Sequence, residues 1–319
     1  MNYTDAPSFL KEFVMQKKII ENRSDLTVNE YCLDICNFFK YIWGKKNNVD
    51  EKNVTVDKIK MDFVLSIKSE DIYDYMLHVA LDRGNQPASR ARKLVAIRGY
   101  YAFLKKEKKI KENPAADITS PIVKQALPKY LTLEESKRFL EAIDLDTTNE
   151  HRVRDYAIIV LFLNCGMRLS ELVGLDLQHV DFSERKLIVT GKGNKQRTIY
   201  INDMCVDALE KYLKIRRSLT CQDGNALFVS RNSKRISNKT IQWMVKKYLT
   251  LAGLSGRGLS THKLRHTAAT LMYSTGQVDI RVLKDILGHE QLNTTQIYTH
   301  VSDAQMKRAI DLNPLSKKE

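Results

Sequence analysis

The stretch NPAADITSP, residues 113–121, decides how this 319-residue chain is organised. It contains two X-Pro steps among small and polar residues, and a third proline follows at Pro128. A residue before proline is pushed towards extended backbone, so a helix is not expected to continue through this stretch. We therefore predict a first domain at 1–112, an extended linker at 113–128 and a second domain at 129–319.

Composition narrows both the class of protein and its partner. Lys and Arg number 52 against 38 Asp and Glu, which gives a formal net charge of +14 and favours nucleic acid as a partner. No apolar run approaches the roughly 20 residues that span a bilayer, and residues 1–21 lack the apolar core of a signal peptide. Five cysteines without a CxxC pair predict neither a disulfide framework nor a zinc site. We expect neither a secreted nor a membrane protein.

The first domain is predicted to be wholly helical. Apolar residues recur at intervals of three and four over 7–20, 28–43, 69–82 and 88–109. In the last segment, four cationic side chains lie mostly off the apolar stripe: Arg90, Arg92, Lys93 and Arg98. They are candidates for contacts to DNA phosphates or bases, and a solvated basic surface is the alternative.

The second domain is predicted to add a small sheet to its helices. Thr132 and Glu135 fit a capping box at a helix start. Strand-like runs at 186–190 and 197–201 flank a turn rich in glycine and lysine, which is typical of a hairpin. We also predict helices over 152–165, 203–217, 238–252, 262–274, 279–287 and 303–311, and a short strand over 227–230. The fold class is therefore mainly α with a small β-sheet.

Four short segments of the second domain place ionisable residues where the helix and hairpin patterns do not require them. They are CGMRLSEL at 165–172, TGKGNKQR at 190–197, THKLRHT at 261–267, and LGH at 287–289 followed by Tyr298. Taken singly, each has an ordinary structural explanation, such as a helix end with a surface arginine or a solvated turn lysine. Their combination, order and spacing carry the functional signal.

In that order and spacing, the four segments resemble the tyrosine recombinase (phage integrase) family, and its Xer-type members most closely. The first domain is similar to the helical, SAM-like core-binding domain of that family, and the second to its mixed α/β catalytic domain. The resemblance covers nearly the whole chain. One departure lies in the strand after the hairpin, RTIYI at 197–201, where Xer-type members often carry Val-Pro.

The resemblance implies six catalytic side chains: Arg168, Lys192, His262, Arg265, His289 and Tyr298. Guanidiniums suit a phosphodiester, because each offers a fork of donors and stays charged at any relevant pH. Tyr298 would attack the phosphorus to form a 3′-phosphotyrosyl link, with His262 as the base. Lys192 would protonate the leaving 5′ oxygen, and His289 would bind the phosphate.

Further residues are implied around these six. Glu171, one turn after Arg168, would orient that arginine, whereas packing explains His266 at least as well as a direct role does. Lys195 and Arg197, beside the hairpin turn, are candidates for DNA contacts. No metal or other cofactor is implied, since exchanging a phosphodiester for a tyrosyl ester conserves the bond energy, and we find neither an ATP-binding glycine loop nor a carboxylate cluster.

The function that the resemblance implies is site-specific recombination through phosphotyrosyl intermediates and a Holliday junction. The implied partners are double-stranded DNA at a specific site and further protomers, identical or paralogous, in a tetramer on synapsed DNA. We expect the two domains to form a clamp around the duplex, in the cytoplasm and associated with the nucleoid. Chromosome-dimer resolution, plasmid-dimer resolution, and integration or excision of a mobile element all remain open.

Two other functions fit parts of the sequence. A type IB topoisomerase-like enzyme shares the tyrosyl chemistry but relaxes a single duplex, and the helical first domain favours recombination over it. A non-catalytic DNA-binding module would keep the scaffold alone, but every expected catalytic position is filled here.

Overall fold

The computed structural model describes residues 2–123, 129–191 and 194–288. The chain forms two compact units, Met1–Gln125 and Ala126–Glu319. None of the helices within the described ranges has the length and apolar character that crossing a membrane requires. The functional division into a core-binding domain at 1–112, a linker at 113–128 and a catalytic domain at 129–319 stays a prediction.

The first unit is built from helices, as predicted. They are α1 Ser8–Met15, α2 Asp25–Asn47, α3 Met61–Leu65, α4 Ser69–Leu81 and α5 Pro87–Lys106. Local signals set their ends: Ser24 caps α2 by accepting a hydrogen bond from the Thr27 N–H, and Pro87 occupies the first turn of α5. The predicted helix over 7–20 changes at Met15 into a π-helical turn, Gln16–Ile20.

Aromatic side chains make up much of the core of this unit. The Phe39 ring meets Phe9 edge-on at 5.3 Å between centroids and Tyr100 at 5.9 Å. The Tyr100 hydroxyl donates to the Phe9 carbonyl at 2.6 Å, so its polar end is satisfied within the apolar interior. This contact joins α5 to α1.

The second unit surrounds one buried helix with other helices and a small sheet. Its helices are α6 Leu133–Asp144, α7 Arg152–Cys165, α8 Leu169–Val173, α9 Asp203–Arg216, α10 Asn238–Leu251, α11 Thr261–Ser274 and α12 Ile280–Leu287. Every residue from 157 to 163 of α7 is buried, and α6, α9 and α11 pack around this helix. A helix that is apolar on all sides belongs at the centre of a domain.

The sheet of the second unit contains β1 Val180–Asp181, β2 Lys186–Thr190 and β3 Gln196–Tyr200 within the described ranges. Both pairings are antiparallel, and β2 and β3 form the predicted hairpin, with Thr190 opposite Gln196. The capping box at α6 is confirmed, because Thr132 N donates to Glu135 Oε2 at 2.9 Å and Glu135 N donates to Thr132 Oγ1 at 3.2 Å.

The predicted strand over 227–230 is wrong. Isolated bridges stand there instead, pairing Ala226 with Asp176 and Val229 with Arg235. Leu227 N still donates to the Leu175 carbonyl at 2.9 Å, but this bond does not extend into a ladder. The predicted helix over 303–311 lies outside the described residues.

Candidate active site

Gly166 ends α7 and begins the site. Its φ is +58°, a left-handed conformation that favours glycine. A Cβ placed on Gly166 would lie 2.9 Å from Leu287 Cδ2, so the end of α12 could not pack here against a larger residue. The Gly166 carbonyl accepts a hydrogen bond from Arg265 Nη1 at 2.8 Å. The end of α7 therefore fixes both the chain that leads to Arg168 and the guanidinium of Arg265.

Arg168 stands at the N-cap of α8, where Glu171 anchors it twice. The Arg168 N–H donates to Glu171 Oε2 at 2.7 Å, and Nη1 donates to Oε1 at 2.8 Å. A third bond runs from Arg168 Nη2 to the Gly288 carbonyl at 2.7 Å. The side chain remains 37% exposed, so a ligand can approach it.

Arg265 reaches the same turn from α11. It is buried, and its Nη2 donates to the Leu287 carbonyl at 2.5 Å. The carbonyls of Leu287 and Gly288 are consecutive in the chain, so Arg168 and Arg265 are bound to adjacent points at the end of α12. A cation at the C-terminus of a helix is favoured by the helix dipole. The structure thus brings together the two predicted phosphate-binding arginines.

His262 and His266 lie one turn apart on α11 and contact each other. Their Nε2 atoms are 3.1 Å apart, and their rings meet edge-on at 4.6 Å. Such a bond needs one donor and one acceptor, so at least one of the two rings is neutral. Desolvation, together with the positive charges of Lys263, Arg265 and Arg168, lowers the pKa of His262 below its ordinary value. The neutral imidazole that a general base requires is therefore favoured near pH 7.

Arg197 does not lie where its predicted role as a DNA contact would place it. Its side chain is 17% exposed and binds Glu171, from Nε to Oε1 at 3.2 Å and from Nη2 to Oε2 at 2.9 Å. Nη1 donates to the Ile286 carbonyl. The alternation of the strand carries a signal for this placement: Arg197 and buried Ile199 share one face of β3, and exposed Thr198 lies on the other.

Glu171 is the buried anion at the centre of this arrangement. Burial alone would raise the pKa of its carboxyl, but hydrogen bonds and charge from Arg197 and Arg168 outweigh it and hold that pKa below the ordinary value. Glu171 is thus ionised near pH 7 and accepts four hydrogen bonds from two arginines. The predicted contact of Glu171 with Arg168 is present in the structure.

Three of the predicted catalytic residues, Lys192, His289 and Tyr298, lie outside the described residues. The neighbours of two of them are described. Gly191, before Lys192, borders the site, since a Cβ placed on it would lie 3.5 Å from Glu171 Oε1. Gly288, before His289, accepts the hydrogen bond from Arg168. The residues immediately before Lys192 and His289 therefore lie beside Glu171 and Arg168.

The candidate DNA contacts of the first unit lie in different environments. Lys93 is buried, and its Nζ is 2.8 Å from Asp34 Oδ1, so its predicted place on the exposed face of α5 is wrong. A long-range partner, which the helical pattern does not show, draws it inward.

Arg98 binds the carbonyls of Ala115 and Ile118 at 3.2 and 2.5 Å and so holds residues 113–120 against α5. Arg90 is half-buried, and Arg92 is paired with acidic groups yet partly exposed.

Lys195 lies exposed beside the hairpin turn, and its carbonyl accepts a hydrogen bond from Gly191 N at 2.8 Å. This position agrees with, but does not test, a DNA contact. The described residues contain no group of three or more His, Cys, Asp or Glu side chains placed to hold a metal ion.

A second, open groove of about 810 Å³ lies in the same unit, and the sequence patterns do not reveal it. It runs along the start of α10 and the segment before it, and Trp243 stands on it with 67% of its surface exposed. Three of its cationic side chains are exposed, Arg231, Lys234 and Lys239, whereas Arg154, Arg235 and Lys247 are paired with Asp155, Asp176 and Asp146. Exposed aromatic and cationic groups in one groove are typical of nucleic-acid surfaces.

The chain is similar in sequence to known recombinases. Residues 129–305 match the model of the phage integrase family. Over 98% of its length, the chain is 45% identical to a tyrosine recombinase XerC of Caldanaerobacter subterraneus subsp. tengcongensis, 88% of which is covered. It is 33% identical to a tyrosine recombinase XerC of Thermodesulfovibrio yellowstonii, over 99% of each chain.

A solved structure shares the fold. It is the crystal structure of the XerH site-specific recombinase bound to its palindromic difH substrate, described as a post-cleavage complex. The TM-score is 0.73 and the sequence identity 22%, over 97% of this chain and 86% of that one. At this identity the likeness bears on the fold alone.

Proposed function

The chain belongs to the phage integrase family and is a Xer-like tyrosine recombinase, and we propose that Arg168 and Arg265 hold the scissile phosphate of its DNA substrate. One observation carries this proposal: the two guanidiniums are bound to consecutive carbonyls, Leu287 and Gly288. Attack on a phosphodiester builds negative charge on the non-bridging oxygens. Two guanidiniums held at adjacent points of the chain stabilise that charge.

Tyr298 is the proposed nucleophile. An unperturbed phenol has a pKa of about 10, so ionising it at pH 7 costs about 4 kcal/mol. The positive charge of the two arginines reduces that cost, and His262, with its lowered pKa, is neutral and able to accept the proton. In this proposal Lys192 protonates the 5′ leaving oxygen and His289 binds the phosphate, while His266 holds the His262 ring through its Nε2 contact.

The enzyme binds double-stranded DNA, and its partners on DNA are further recombinase protomers. We propose that the Trp243 groove and the cations of α5 that remain partly exposed contribute the DNA contacts. Phosphate contacts make the affinity for DNA fall as salt increases. The logarithm of the binding constant decreases with the logarithm of the salt concentration, with a slope of about 0.9 for each phosphate neutralised. We further propose a tetramer on two synapsed sites, formed with identical or paralogous protomers, acting in the cytoplasm at the nucleoid. The site itself belongs to a chromosome, a plasmid or a mobile element.

The relatives described above are named as recombinases, and nothing in them favours the type IB topoisomerase alternative. A direct discriminator is a plasmid carrying two copies of the target site. A recombinase resolves it into two circles, whereas a topoisomerase only relaxes it, with or without the sites.

The test of reaction class begins with sheared genomic DNA of the host, from which fragments joined covalently to the protein are recovered under SDS. A nicked duplex that carries the recovered site is then incubated with the full chain. We expect a protein–DNA band that survives SDS and is absent with Tyr298→Phe. No SDS-resistant band from any genomic fragment, or an undiminished band with Tyr298→Phe, would contradict the proposal.

A further inference from the structure

Arg197 is a largely enclosed arginine, 17% exposed, and its side-chain bonds go to the residues of the candidate active site. It shares the Glu171 carboxylate with Arg168 and binds the Ile286 carbonyl, one residue before the Leu287–Gly288 pair that the other two arginines hold. It also packs against Gly288, because a Cβ placed on that glycine would lie 2.9 Å from Arg197 Cδ. The φ of Gly288 is +64°, so backbone and space both restrict this position.

The charges in this cluster explain why a second arginine is useful. With one arginine, the buried Glu171 carboxylate would form a neutral pair with Arg168, and the charge available to a phosphate would be reduced. With Arg197 added, two guanidiniums share one carboxylate and the group carries a net positive charge. Because the surroundings are buried, this charge is screened less than it would be on the surface.

We propose that Arg197 is a positioning residue for DNA cleavage, which shares Glu171 and fixes the end of α12 so that Arg168 keeps its aim and its charge for the phosphate. This inference rests on the proposed function of Arg168. Arg197 acts through Glu171 and the Ile286 carbonyl, to which all three of its guanidinium nitrogens are bonded.

The test compares variants of the full chain on the nicked duplex, three of them single substitutions of an arginine. Arg197→Gln removes the charge and the fork, and Arg197→Lys keeps the charge alone. Arg216→Gln is the control, since Arg216 is also a hydrogen-bonded internal arginine but binds the carbonyls of Leu219, Gly224 and Ala226, away from the site. For each we measure the DNA Kd and its salt dependence, the single-turnover rate of adduct formation at saturating protein, and the free energy of unfolding.

For Arg197→Gln we expect adduct formation to slow by about 10–100-fold, as for other partners that orient a reacting group, while Kd changes by less than about threefold. Arg197→Lys should recover part of the rate. Arg216→Gln should lose stability but cleave at the normal rate once bound. A double variant with Glu171→Gln should lose less than the product of the single losses, because without the carboxylate no charge needs to be offset.

Three results would overturn the inference. The first is a normal rate for Arg197→Gln. The second is a weaker Kd with a salt slope reduced by about one, which marks a phosphate contact. The third is a rate loss in Arg216→Gln equal to that in Arg197→Gln. If the wild-type protein formed no adduct at all, the proposed function would fail first, and the inference with it.

Discussion

Each unit of this protein buries a carboxylate between two cations, but the cations of the two clusters differ in the other contacts that they make. In the first unit, Asp34 on α2 binds Lys93 Nζ at 2.8 Å and Arg92 Nη1 at 2.5 Å. In the second, Glu171 on α8 binds Arg168 and Arg197 at 2.7–3.2 Å. Arg92 and Arg168 are exposed to a similar extent, at 41% and 37%.

The difference lies in the remaining contacts. Arg92 and Lys93 are neighbours on α5, and their bonds to Asp34 join two helices of the first unit. Arg168 and Arg197 come from different elements and continue to carbonyls at the end of α12. The same ionic motif therefore joins two helices in one unit, and in the other it holds the Arg168 guanidinium at the end of α12. Four measurements test this difference between the clusters.

The largest effect is expected from Asp34→Asn. It leaves the Lys93 ammonium buried without its anion, and breaking a buried pair costs about 3–5 kcal/mol of folding stability. The chain has two tryptophans, Trp43 in the first unit and Trp243 in the second. Urea unfolding followed by Trp43 fluorescence, in a Trp243→Phe background, isolates the first unit. A loss below about 1 kcal/mol would show that this cluster does not stabilise the fold.

Arg168→Ala should act on cleavage more than on stability. Removing one donor to transition-state charge costs about 10²–10³-fold in rate. Glu171 keeps its bonds to Arg197, so the second unit should lose less stability than Asp34→Asn takes from the first. Single-turnover adduct formation measures the rate, and Trp243 fluorescence in a Trp43→Phe background measures unfolding. A rate within tenfold of wild type would show that the Glu171 cluster, like the Asp34 cluster, has no large effect on cleavage.

The pH dependence of cleavage should follow His262. Because its folded pKa is lowered, the imidazole stays neutral, and competent as a base, to a pH below the ordinary value of about 6.5. As pH falls through the lowered pKa the base becomes protonated, and the rate falls by about tenfold per unit. Single-turnover rates from about pH 5 to about pH 8 test this. In His262→Asn the acidic limb should vanish along with most of the rate; an unchanged limb would assign it to another group.

The smallest effect is expected from Thr132→Ala, which removes a helix cap outside both clusters. The variant should lose about 1 kcal/mol of stability in the second unit, and Thr132→Ser should restore most of it. Adduct formation by the folded protein should stay at the wild-type rate. A change in that rate would mean that lost stability by itself slows cleavage in this unit. The slow cleavage expected of Arg168→Ala could then not be assigned to the lost guanidinium.

Local patterns predicted most elements of the fold. The apolar periods predicted the longer helices but not the five-residue helices α3 and α8, which are too short to show a period. The Thr132–Glu135 capping box formed as its spacing indicates. The hairpin formed between β-branched runs, as expected. The strand over 227–230 did not, because a ladder depends on a partner segment that its own sequence cannot supply.

The order of the motifs predicted that Arg168, Glu171 and Arg265 belong to one site. The ion-pair partners of Lys93 and Arg197 could not be predicted from the local sequence. Lys93 meets Asp34 across 59 positions of sequence, and Arg197 meets Glu171 across 26. A lysine or arginine looks exposed in any local pattern until a buried carboxylate from another element is known. For Arg197 the alternation of β3 did carry a signal, since it shares a face with buried Ile199.

We propose that Arg168 and Arg265 neutralise the charge of a phosphate that Tyr298 attacks. Its most direct test replaces the scissile phosphate of the nicked duplex with a neutral methylphosphonate and compares wild type with Arg265→Ala. On the ordinary phosphate the variant should be slower by about 10²–10³-fold. On the neutral probe this loss should shrink to less than about tenfold, because the charge that Arg265 neutralises is no longer there. A loss of the same size on both duplexes would contradict the account.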